Sequence, residues 1–319
     1  MNLLAKVDVL IVTYNHKNYI SQNLESVLAQ QTTFEFNIIV GDDCSVDGTI
    51  EILKEYEKKF PNKIFVTYQP VNLGPYHRER NIVTMLNNSK AKYIAVCDGD
   101  DYWIDPFKLQ KQYDFLEAHS DFSMCFHNSL IRHEYTKTVN KEEALFNGVL
   151  PKDTFEFKDV VDGWIAHTSS LFFVNRDLIP LPEWFWSCFT GDLVIILLLA
   201  GKGKLKYLDF TGSVYRLNDG GVSRKYQGRF LIEGKIEVYN RLNKHFDYSL
   251  SNAINPVLAK YYYQLIPINF YALKIKKGLI HLFKAIKLKP LGLFTDLPVI
   301  DSFKIFIKKV GTKLFNTKK

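Results

Sequence analysis

Two hydrophobic periodicities alternate over the first hundred residues, and this alternation constrains the fold more than any other feature. Short apolar, β-branched runs predict strands at 7–15, 36–43, 63–69 and 92–101. Segments with helical spacing lie between these runs, at 21–31, 49–60 and 78–89. Strands alternating with helices predict an α/β fold, in which a mostly parallel, Rossmann-like sheet carries helices on both faces.

Beyond residue 106 the pattern is less regular. It predicts helices at 108–118 and 192–203, and strands at 122–128, 168–175 and 205–216. We therefore expect an α/β domain at 1–225 and a helical C-terminal region at 226–319, with a basic amphipathic tail from about 270.

Three of the predicted strands end in clusters of polar residues. The clusters are Thr13-Tyr14-Asn15, Gly41-Asp42-Asp43 and Asp98-Gly99-Asp100-Asp101. In parallel sheets, ligands bind at the carboxyl ends of the strands. Loops are polar in any case, so one such cluster carries little information. Three in succession favour a binding site at this edge of the sheet.

The aspartates of the third cluster directly follow a run that has the composition of a buried strand. Like charges this close raise each other's pKa unless a positive group lies among them. Asp98 and Asp100, at Asp-x-Asp spacing, offer hard oxygen ligands that suit Mg²⁺ or Mn²⁺. Phosphate oxygens and water would complete the coordination of such an ion. The spacing alone is a weak signal, and its position after a buried strand strengthens it.

Cysteine usage and apolar runs bear on where the protein works. The four cysteines form no C-x-x-C pair, which favours a reducing cytoplasm. The N-terminal segment reads as a strand and not as a signal peptide. The longest apolar run, 193–200, is far shorter than the roughly 20 residues that span a bilayer.

Five motifs, in order along the chain, resemble those of family 2 glycosyltransferases with a GT-A fold. They are VTYN, GDDCSVDGT, NLGPYHRERN, CDGDDYWIDPFKLQKQYDFLE and GDLVIILLLAGKGKLKYLD. The middle motif resembles a bacterial subgroup that glycosylates polysaccharide or lipid-linked acceptors. The resemblance covers about residues 5–225. It implies a nucleotide-sugar donor, with UDP the most common nucleotide, a divalent metal (Mn²⁺ or Mg²⁺) and inversion at the sugar carbon.

The resemblance also implies roles for individual residues of the first four motifs. Thr13, Tyr14 and Asn15 correspond to the loop that holds the base and ribose of the nucleotide. One of Asp42 and Asp43 is expected to bond the base. Arg80 and Asn81 correspond to a pair of residues beside the nucleotide. Asp98 corresponds to the acid beside the ribose or phosphate, and Asp100 to the acid that ligates the metal. Asp101 is the third member of the group and is expected to orient the sugar.

Asp192 is the expected catalytic base. The family often has Glu-Asp here, whereas this chain has Gly191-Asp192, a variation that also occurs in the subgroup. Asp192 opens an apolar helix, so we expect its carboxylate to lie on the rim and to accept a proton from the acceptor hydroxyl. The alternative for Asp192 is a helix cap.

The segment VYRLNDGGVS resembles a family segment written Tyr-Arg-x-His-x-x-Gly-x-Ser. Asn218 stands where histidine is common, so a metal or phosphate contact from this loop is in doubt. Arg216 has two equally supported roles, a contact with the diphosphate or a structural salt bridge.

Aromatic residues near these motifs suit sugar rings. We expect Trp103 to wall the sugar pocket, and Trp184 and Trp186 to supply an acceptor platform with one of the two in the core. His127 and His167 lack a paired ligand pattern, so we interpret both as structural.

The positive charge of the chain lies in its tail. Residues 270–319 hold 12 Lys, no Arg and 2 Asp, a net +10; since the whole chain carries +7, the rest carries −3. Lysines alternating with Leu, Ile and Phe predict a basic amphipathic helix at the inner face of the membrane. A helical lid on the catalytic domain is the alternative, and the lack of arginine disfavours nucleic acid.

The resemblance, together with the placement of the aspartates, implies a metal-dependent inverting glycosyltransferase. It would move a sugar from a nucleotide-sugar, with UDP-sugar favoured, to a glycan or polyprenyl-linked acceptor in cell-surface polysaccharide synthesis. A catalytically silent GT-A binding or scaffolding module is the alternative, although Asp100 and Asp192 are both present. A nucleotidyltransferase would need a glycine-rich, basic loop after the first strand, and VTYNHKNY is not one.

Overall fold

A computed structural model describes residues 5–74, 79–134, 141–146, 152–163, 165–188, 190–218, 228–271 and 274–289. Only the backbone is described for Glu79, Arg80, Lys141, Glu142 and Tyr271. The contacts divide the chain into two compact units, Met1–Arg224 and Lys225–Lys319.

In the described part of the first unit, ten strands form one sheet. They are β1 (Val7–Thr13), β2 (Phe36–Asp42), β3 (Ile64–Tyr68), β4 (Tyr93–Val96), β5 (Tyr102–Trp103), β6 (Phe122–Glu134), β7 (Lys141–Ala144), β8 (Thr154–Phe155), β9 (Phe172–Val174) and β10 (Lys204–Asn218). Their order is β3-β2-β1-β4-β9-β6-β10-β5, and β7 and β8 pair with β6 and β10.

The helices of this unit alternate with the first strands, as the periodicity predicts. They are α1 (Ile20–Leu28), α2 (Thr49–Lys59), α3 (Glu79–Asn88), α4 (Lys108–Ala118), α5 (Phe157–Val160), α6 (Asn175–Leu178) and α7 (Gly191–Ala200). Two short 3₁₀ turns lie at Thr168–Ser170 and Glu183–Ser187.

The first four strands in sheet order are parallel, which confirms the predicted α/β class. β1 pairs with β2 from Val7↔Phe36 to Thr13↔Asp42 and with β4 on its other side. β9 then pairs antiparallel with both β4 and β6, and β6 runs parallel to β10. The sheet is therefore parallel where the predicted polar clusters lie and mixed as a whole.

Helices cover both faces of the parallel strands. Val7, Val9 and Ile11 share a buried cluster with Leu24 of α1 and Leu53 of α2. On the opposite face, a Cβ added at Gly41 would lie 3.3 Å from the Asn81 Cβ and 3.3 Å from the Met85 Cε of α3. The apolar residues thus face in alternate directions along each strand and are covered on both sides.

The later strands depart from the sequence prediction. The predicted strand 168–175 is a 3₁₀ turn followed by the three residues of β9. The predicted strand 122–128 continues to Glu134. β5, β7 and β8 were not predicted, because two to four residues are too few to display a period.

The second unit is helical in its described part, with α8 (Arg229–His245), α9 (Ser251–Tyr271) and α10 (Ile275–Leu288). A Cβ added at Gly278 would lie 2.3 Å from the Phe270 ring, so α10 packs closely on α9 along its glycine face. Among the helices described for this chain, none is both long and apolar enough to cross a bilayer. The part of the predicted basic tail at 290–319 lies outside the described residues.

Candidate functional site

The polar ends of β1 and β4 meet, as the sequence predicts. The backbone N–H groups of Cys97 and Gly99 donate to the carbonyls of Leu10 (3.0 Å) and Val12 (2.9 Å), so the chain follows β1 beyond the last residue of β4. A Cβ added at Gly99 would lie 2.7 Å from Thr13 Oγ1. Glycine is therefore required where the aspartate turn passes over the end of β1.

The three aspartates of this turn differ in exposure. Asp98 and Asp100 are half-buried, and Asp101 is completely buried. Asp100 Oδ2 accepts a hydrogen bond from Asn218 Nδ2 (3.0 Å) and lies 3.8 Å from His16 Nε2. The carboxylate of Asp100 thus lies between the end of β1 and the end of β10.

Asp101 is a scaffold residue in this structure. Its Oδ1 accepts the backbone N–H of Arg216 (3.0 Å), and its Oδ2 is buried without a hydrogen-bond partner. Burial, together with the charges of Asp100 and Asp98, raises the pKa of Asp101 well above its usual range, and Arg216 opposes that rise. Complete burial favours a scaffolding role over the predicted contact with the sugar.

Arg216 supplies the positive charge among the aspartates. Its side chain is 3% exposed and pairs with Glu134 Oε1 (3.1 Å). The guanidinium also donates to the backbone carbonyl of Asp100 and to Gln22 Oε1. It lies 4.4 Å from the centre of the Tyr102 ring. Of the two predicted roles, the structural salt bridge is the one that the geometry supports, because the guanidinium is enclosed by protein groups.

The loop after β1 is tied to the loop after β2. Asn15 has a left-handed backbone (φ 54°), which asparagine tolerates better than most residues. Its N–H donates to Ser45 Oγ (2.9 Å), and its Oδ1 accepts the N–H of Val46 (2.9 Å). Asp42 accepts from both the N–H and the hydroxyl of Ser45. Thr13 is buried, whereas Tyr14 is exposed at this rim.

Asp43 organises the segment after β3. Its carboxylate accepts the N–H of Leu73 (2.8 Å) and the side-chain amide of Asn72 (3.1 Å). Burial raises the pKa of Asp43.

Asn81 is buried beneath β2, where its Oδ1 accepts a hydrogen bond from Gln69 Nε2 (2.5 Å). The Arg80 side chain lies outside the described residues, so its predicted contact is untested.

Trp103 lies in the core and not on the wall of a pocket. It is buried, and its Nε1 donates to the carbonyl of Ser169 (2.9 Å). Lys108 Nζ lies 3.8 Å from the centre of its ring, and burial lowers the pKa of that lysine to about 7. The prediction for Trp103 was wrong because the carbonyl that accepts its indole N–H comes from a distant part of the chain.

The two other candidate tryptophans lie in the 3₁₀ turn Glu183–Ser187. Trp184 is half-buried and Trp186 is 46% exposed, while Phe185 between them is completely buried. The expectation that one tryptophan of the pair lies in the core is therefore wrong, because Phe185 fills that position. Both indole rings retain surface that an acceptor could contact.

Asp192 is the second residue of α7. Every other residue of this helix is buried, and Asp192 is half-buried. Its Oδ1 accepts the N–H of Leu193 (2.8 Å). A helix that is apolar on all sides belongs in the interior, so its first turn is where a carboxylate reaches the surface. This placement agrees both with the predicted base and with the cap alternative.

A divalent cation fits the aspartate turn. Three carboxylates occur in four residues, one buried oxygen of Asp101 has no hydrogen-bond partner, and Arg216 offsets only part of the charge. Within the described residues, no three His, Cys, Asp or Glu side chains are placed to enclose a metal. The protein would therefore supply few ligands, and phosphate and water the rest.

Sequence reasoning missed two contributors to this site, His16 and Ser45, and assigned no contact to Asn218. His16 lies beside Asp100, Ser45 joins the loops after β1 and β2, and Asn218 binds the Asp100 carboxylate. The Asp-x-x-Ser spacing of Asp42 and Ser45 was a usable local signal. No local sequence signal indicated the pairing of His16 with Asp100, because the two residues lie in separate loops.

Comparison with known proteins identifies the family. The sequence model of Glycosyl transferase family 2 matches residues 8–181. The putative teichuronic acid biosynthesis glycosyltransferase TuaG of Bacillus subtilis is 36% identical over 114 residues, which is 36% of this chain and 43% of TuaG. This chain spans less than half of the length of TuaG and of the other curated relatives compared with it.

Solved structures show the same fold. Staphylococcus aureus TarS 1–349 in complex with UDP-GlcNAc has a TM-score of 0.58 and 18% identity, covering 89% of this chain and 81% of that one. The mannosyltransferase PcManGT of Pyrobaculum calidifontis, in complex with GDP-Man and Mn²⁺, has a TM-score of 0.53 and 13% identity, covering 98% and 87%. The fold is therefore that of the GT-A glycosyltransferases. With more than half of its length matched by the family model, the chain belongs to glycosyl transferase family 2.

Proposed function

We propose that this protein is a metal-dependent inverting glycosyltransferase acting in cell-surface polysaccharide synthesis, with residues 1–225 as its catalytic domain. The donor is a nucleotide-sugar, with UDP-sugar favoured, and the acceptor is a hydroxyl of a glycan or polyprenyl-linked glycan. The observation that carries the proposal is the half-buried Asp100 carboxylate, held by Asn218 where the ends of β1, β4 and β10 meet. The complexes of TarS with UDP-GlcNAc and of PcManGT with GDP-Man and Mn²⁺ support the donor class.

The nucleotide would bind over the ends of β1 and β2. Exposed Tyr14 and the ordered loop at Asn15 would hold the base and ribose. Asp42 and Asp43 would position this loop and the segment at Asn72. Arg80 would lie beside the nucleotide, whereas the buried Asn81 would hold Gln69.

Asp100, with Asp98, would hold Mn²⁺ or Mg²⁺. When bound, the cation supplies positive charge that stabilises the departing nucleoside diphosphate. Asp101 and Arg216 would fix the turn from beneath.

Asp192 would accept the proton of the acceptor hydroxyl. The acceptor oxygen then forms a bond to the anomeric carbon as the bond from that carbon to the diphosphate oxygen breaks, which inverts the configuration. Trp184 and Trp186, which retain exposed ring surface, would support the acceptor.

Calorimetric titration tests the donor site. We expect one of UDP, GDP and dTDP to bind in the presence of Mn²⁺ and at least about tenfold more weakly without it, a loss of about 1.4 kcal/mol. Asp100→Asn should cause a similar loss, because it removes the ligand charge and preserves shape. Asp114→Asn, at an exposed position of α4, is the matched control and should bind as the unmodified chain does. Failure of a folded protein to bind all three nucleotides would favour the silent-module alternative.

The second unit would place the enzyme at the inner face of the membrane. α10 turns its Gly278 and Ala285 side inward. Along another side, Ile275, Leu279 and Phe283 follow one another at four-residue spacing and are exposed. Residues 274–289 contain six lysines and no acidic residue. An exposed apolar strip beside lysines suits an anionic bilayer, whereas a second copy of this helix would bring like charges together.

Vesicle co-sedimentation tests this contact. The double substitution Leu279→Gln/Phe283→Gln should weaken binding to phosphatidylglycerol-containing vesicles at least about tenfold, because each buried side chain contributes roughly 1.5–3 kcal/mol. Val71→Gln, at an exposed apolar position of the first unit, should leave binding unchanged. Equal sedimentation of the double variant and the unmodified chain would instead favour the alternative in which the basic helices form a lid on the catalytic domain.

A further inference from the structure

His16 is held in a defined orientation beside the aspartate turn. Its backbone N–H donates to Thr49 Oγ1 (2.9 Å), and its Nδ1 lies 3.2 Å from Thr13 Oγ1. The imidazole packs edge-on against Tyr19, with ring centres 6.3 Å apart. The ring therefore presents its other nitrogen, Nε2, towards Asp100.

The spacing between His16 and Asp100 is that of two ligands sharing one ion. Nε2 lies 3.8 Å from Asp100 Oδ2, which is beyond hydrogen-bond distance. Two ligand atoms that are each about 2.1 Å from a cation lie between about 3.0 and 4.2 Å apart as their angle widens from right-angled to linear. Both side chains keep access to solvent, with 21% and 18% of their surfaces exposed.

The surrounding contacts are those of a metal-binding histidine. Such a histidine donates its second ring N–H to an oxygen, which fixes the tautomer. Thr13 Oγ1 can accept from Nδ1, which leaves the Nε2 lone pair free to face Asp100. Gly99 permits this approach, since a Cβ there would lie 2.9 Å from His16 Nδ1. Asn218 holds Asp100 from the far side.

We infer that His16, through Nε2, and Asp100 are the two side chains that bind the divalent cation directly, with Asp98 acting through its charge beside them, an inference that rests on the proposed function. Asn218, at the end of β10, stands where histidine is common and has no imidazole nitrogen to offer. His16 would supply an imidazole nitrogen from the loop after β1 instead. Mg²⁺ prefers oxygen ligands, whereas first-row transition ions accept imidazole more readily. His16 therefore makes the donor site select Mn²⁺ over Mg²⁺.

Pulsed electron paramagnetic resonance of the full chain with Mn²⁺ and the nucleoside diphosphate that binds tests this inference directly. We expect modulation from a directly bound imidazole nitrogen, with the frequencies changing when the histidines carry ¹⁵N. His16→Ala should abolish the modulation, and His119→Ala, at an exposed position after α4, should retain it. Absence of the modulation in the unmodified chain overturns the inference without recourse to a variant, and the two variants assign a positive signal to His16.

Calorimetry provides the second measurement. His16→Ala should weaken Mn²⁺-dependent nucleotide binding about tenfold and Mg²⁺-dependent binding less than about threefold, so that the preference for Mn²⁺ falls. A Mn²⁺–nucleotide complex without nitrogen modulation would overturn the role of His16 and leave the proposed function standing. If no Mn²⁺–nucleotide complex forms, the inference and the metal-dependent function fail together.

Discussion

Replacement of Asp192 by asparagine is expected to lower kcat by about 10²–10⁴-fold, because the amide cannot take the proton of the acceptor hydroxyl. The substitution preserves shape, and the asparagine Oδ1 can still accept the N–H of Leu193. Turnover is measured as release of nucleotide from the donor that binds, with solubilised membranes as the source of acceptor. Donor affinity, measured by calorimetry, should remain unchanged.

The same variant separates the base from the helix cap. Asparagine caps a helix about as well as aspartate does, so a residue that only caps would tolerate this change. Glu183→Gln, in the neighbouring turn that carries Trp184, controls for the loss of a nearby carboxylate and should keep full turnover. Retention of normal turnover by Asp192→Asn would assign Asp192 to the cap and leave the base unassigned.

Among the substitutions proposed for this protein, removal of the Arg216 guanidinium should lower the free energy of unfolding most. We expect Arg216→Met to lower the free energy of unfolding by about 3–5 kcal/mol, because it removes the buried guanidinium from Glu134, the Asp100 carbonyl and Gln22 and takes away the positive charge beside the buried Asp101. All four tryptophans of the chain lie in the first unit, so urea unfolding followed by tryptophan fluorescence reports on that unit alone.

A matched control uses the same carboxylate. Arg132 Nε also lies 3.1 Å from Glu134 Oε1, but its side chain is 30% exposed. Arg132→Met should therefore cost less than about 1 kcal/mol. Adding Glu134→Gln to Arg216→Met should cost less than about 1 kcal/mol more, since only the partly exposed pair of Glu134 with Arg132 is then left to lose. Normal stability of Arg216→Met combined with loss of nucleotide binding would instead assign Arg216 to the diphosphate.

The sequence was sufficient to predict the parallel half of the sheet. Its strands and helices are long enough to display their periods, and each period is a local property. The turn at Asp98–Asp101 was recognisable for the same reason, since a polar cluster followed a fully apolar strand. The general position of Asp192 also follows from local pattern, because it opens a helix that is apolar on all sides.

The roles of Trp103, Asp101 and Arg216 depend on contacts between distant segments. Trp103 lies in the core, where Ser169, 66 positions further along the chain, accepts its indole N–H. Asp101 is internal because β10 passes behind it and donates a backbone N–H. A pattern along the chain cannot distinguish a carboxylate that faces a ligand from one that faces a backbone amide.

The bond between Asp101 and Arg216 joins residues 115 positions apart, and this has a consequence for biosynthesis. At about 5–20 residues per second, roughly 6–23 s separate the synthesis of these two residues. Over that interval, the emerging chain contains every strand of the parallel core but not the guanidinium that offsets part of the charge of its three aspartates. The site is therefore completed only near the end of translation of the first unit, so a nascent chain released before residue 216 would keep the aspartate turn unsupported.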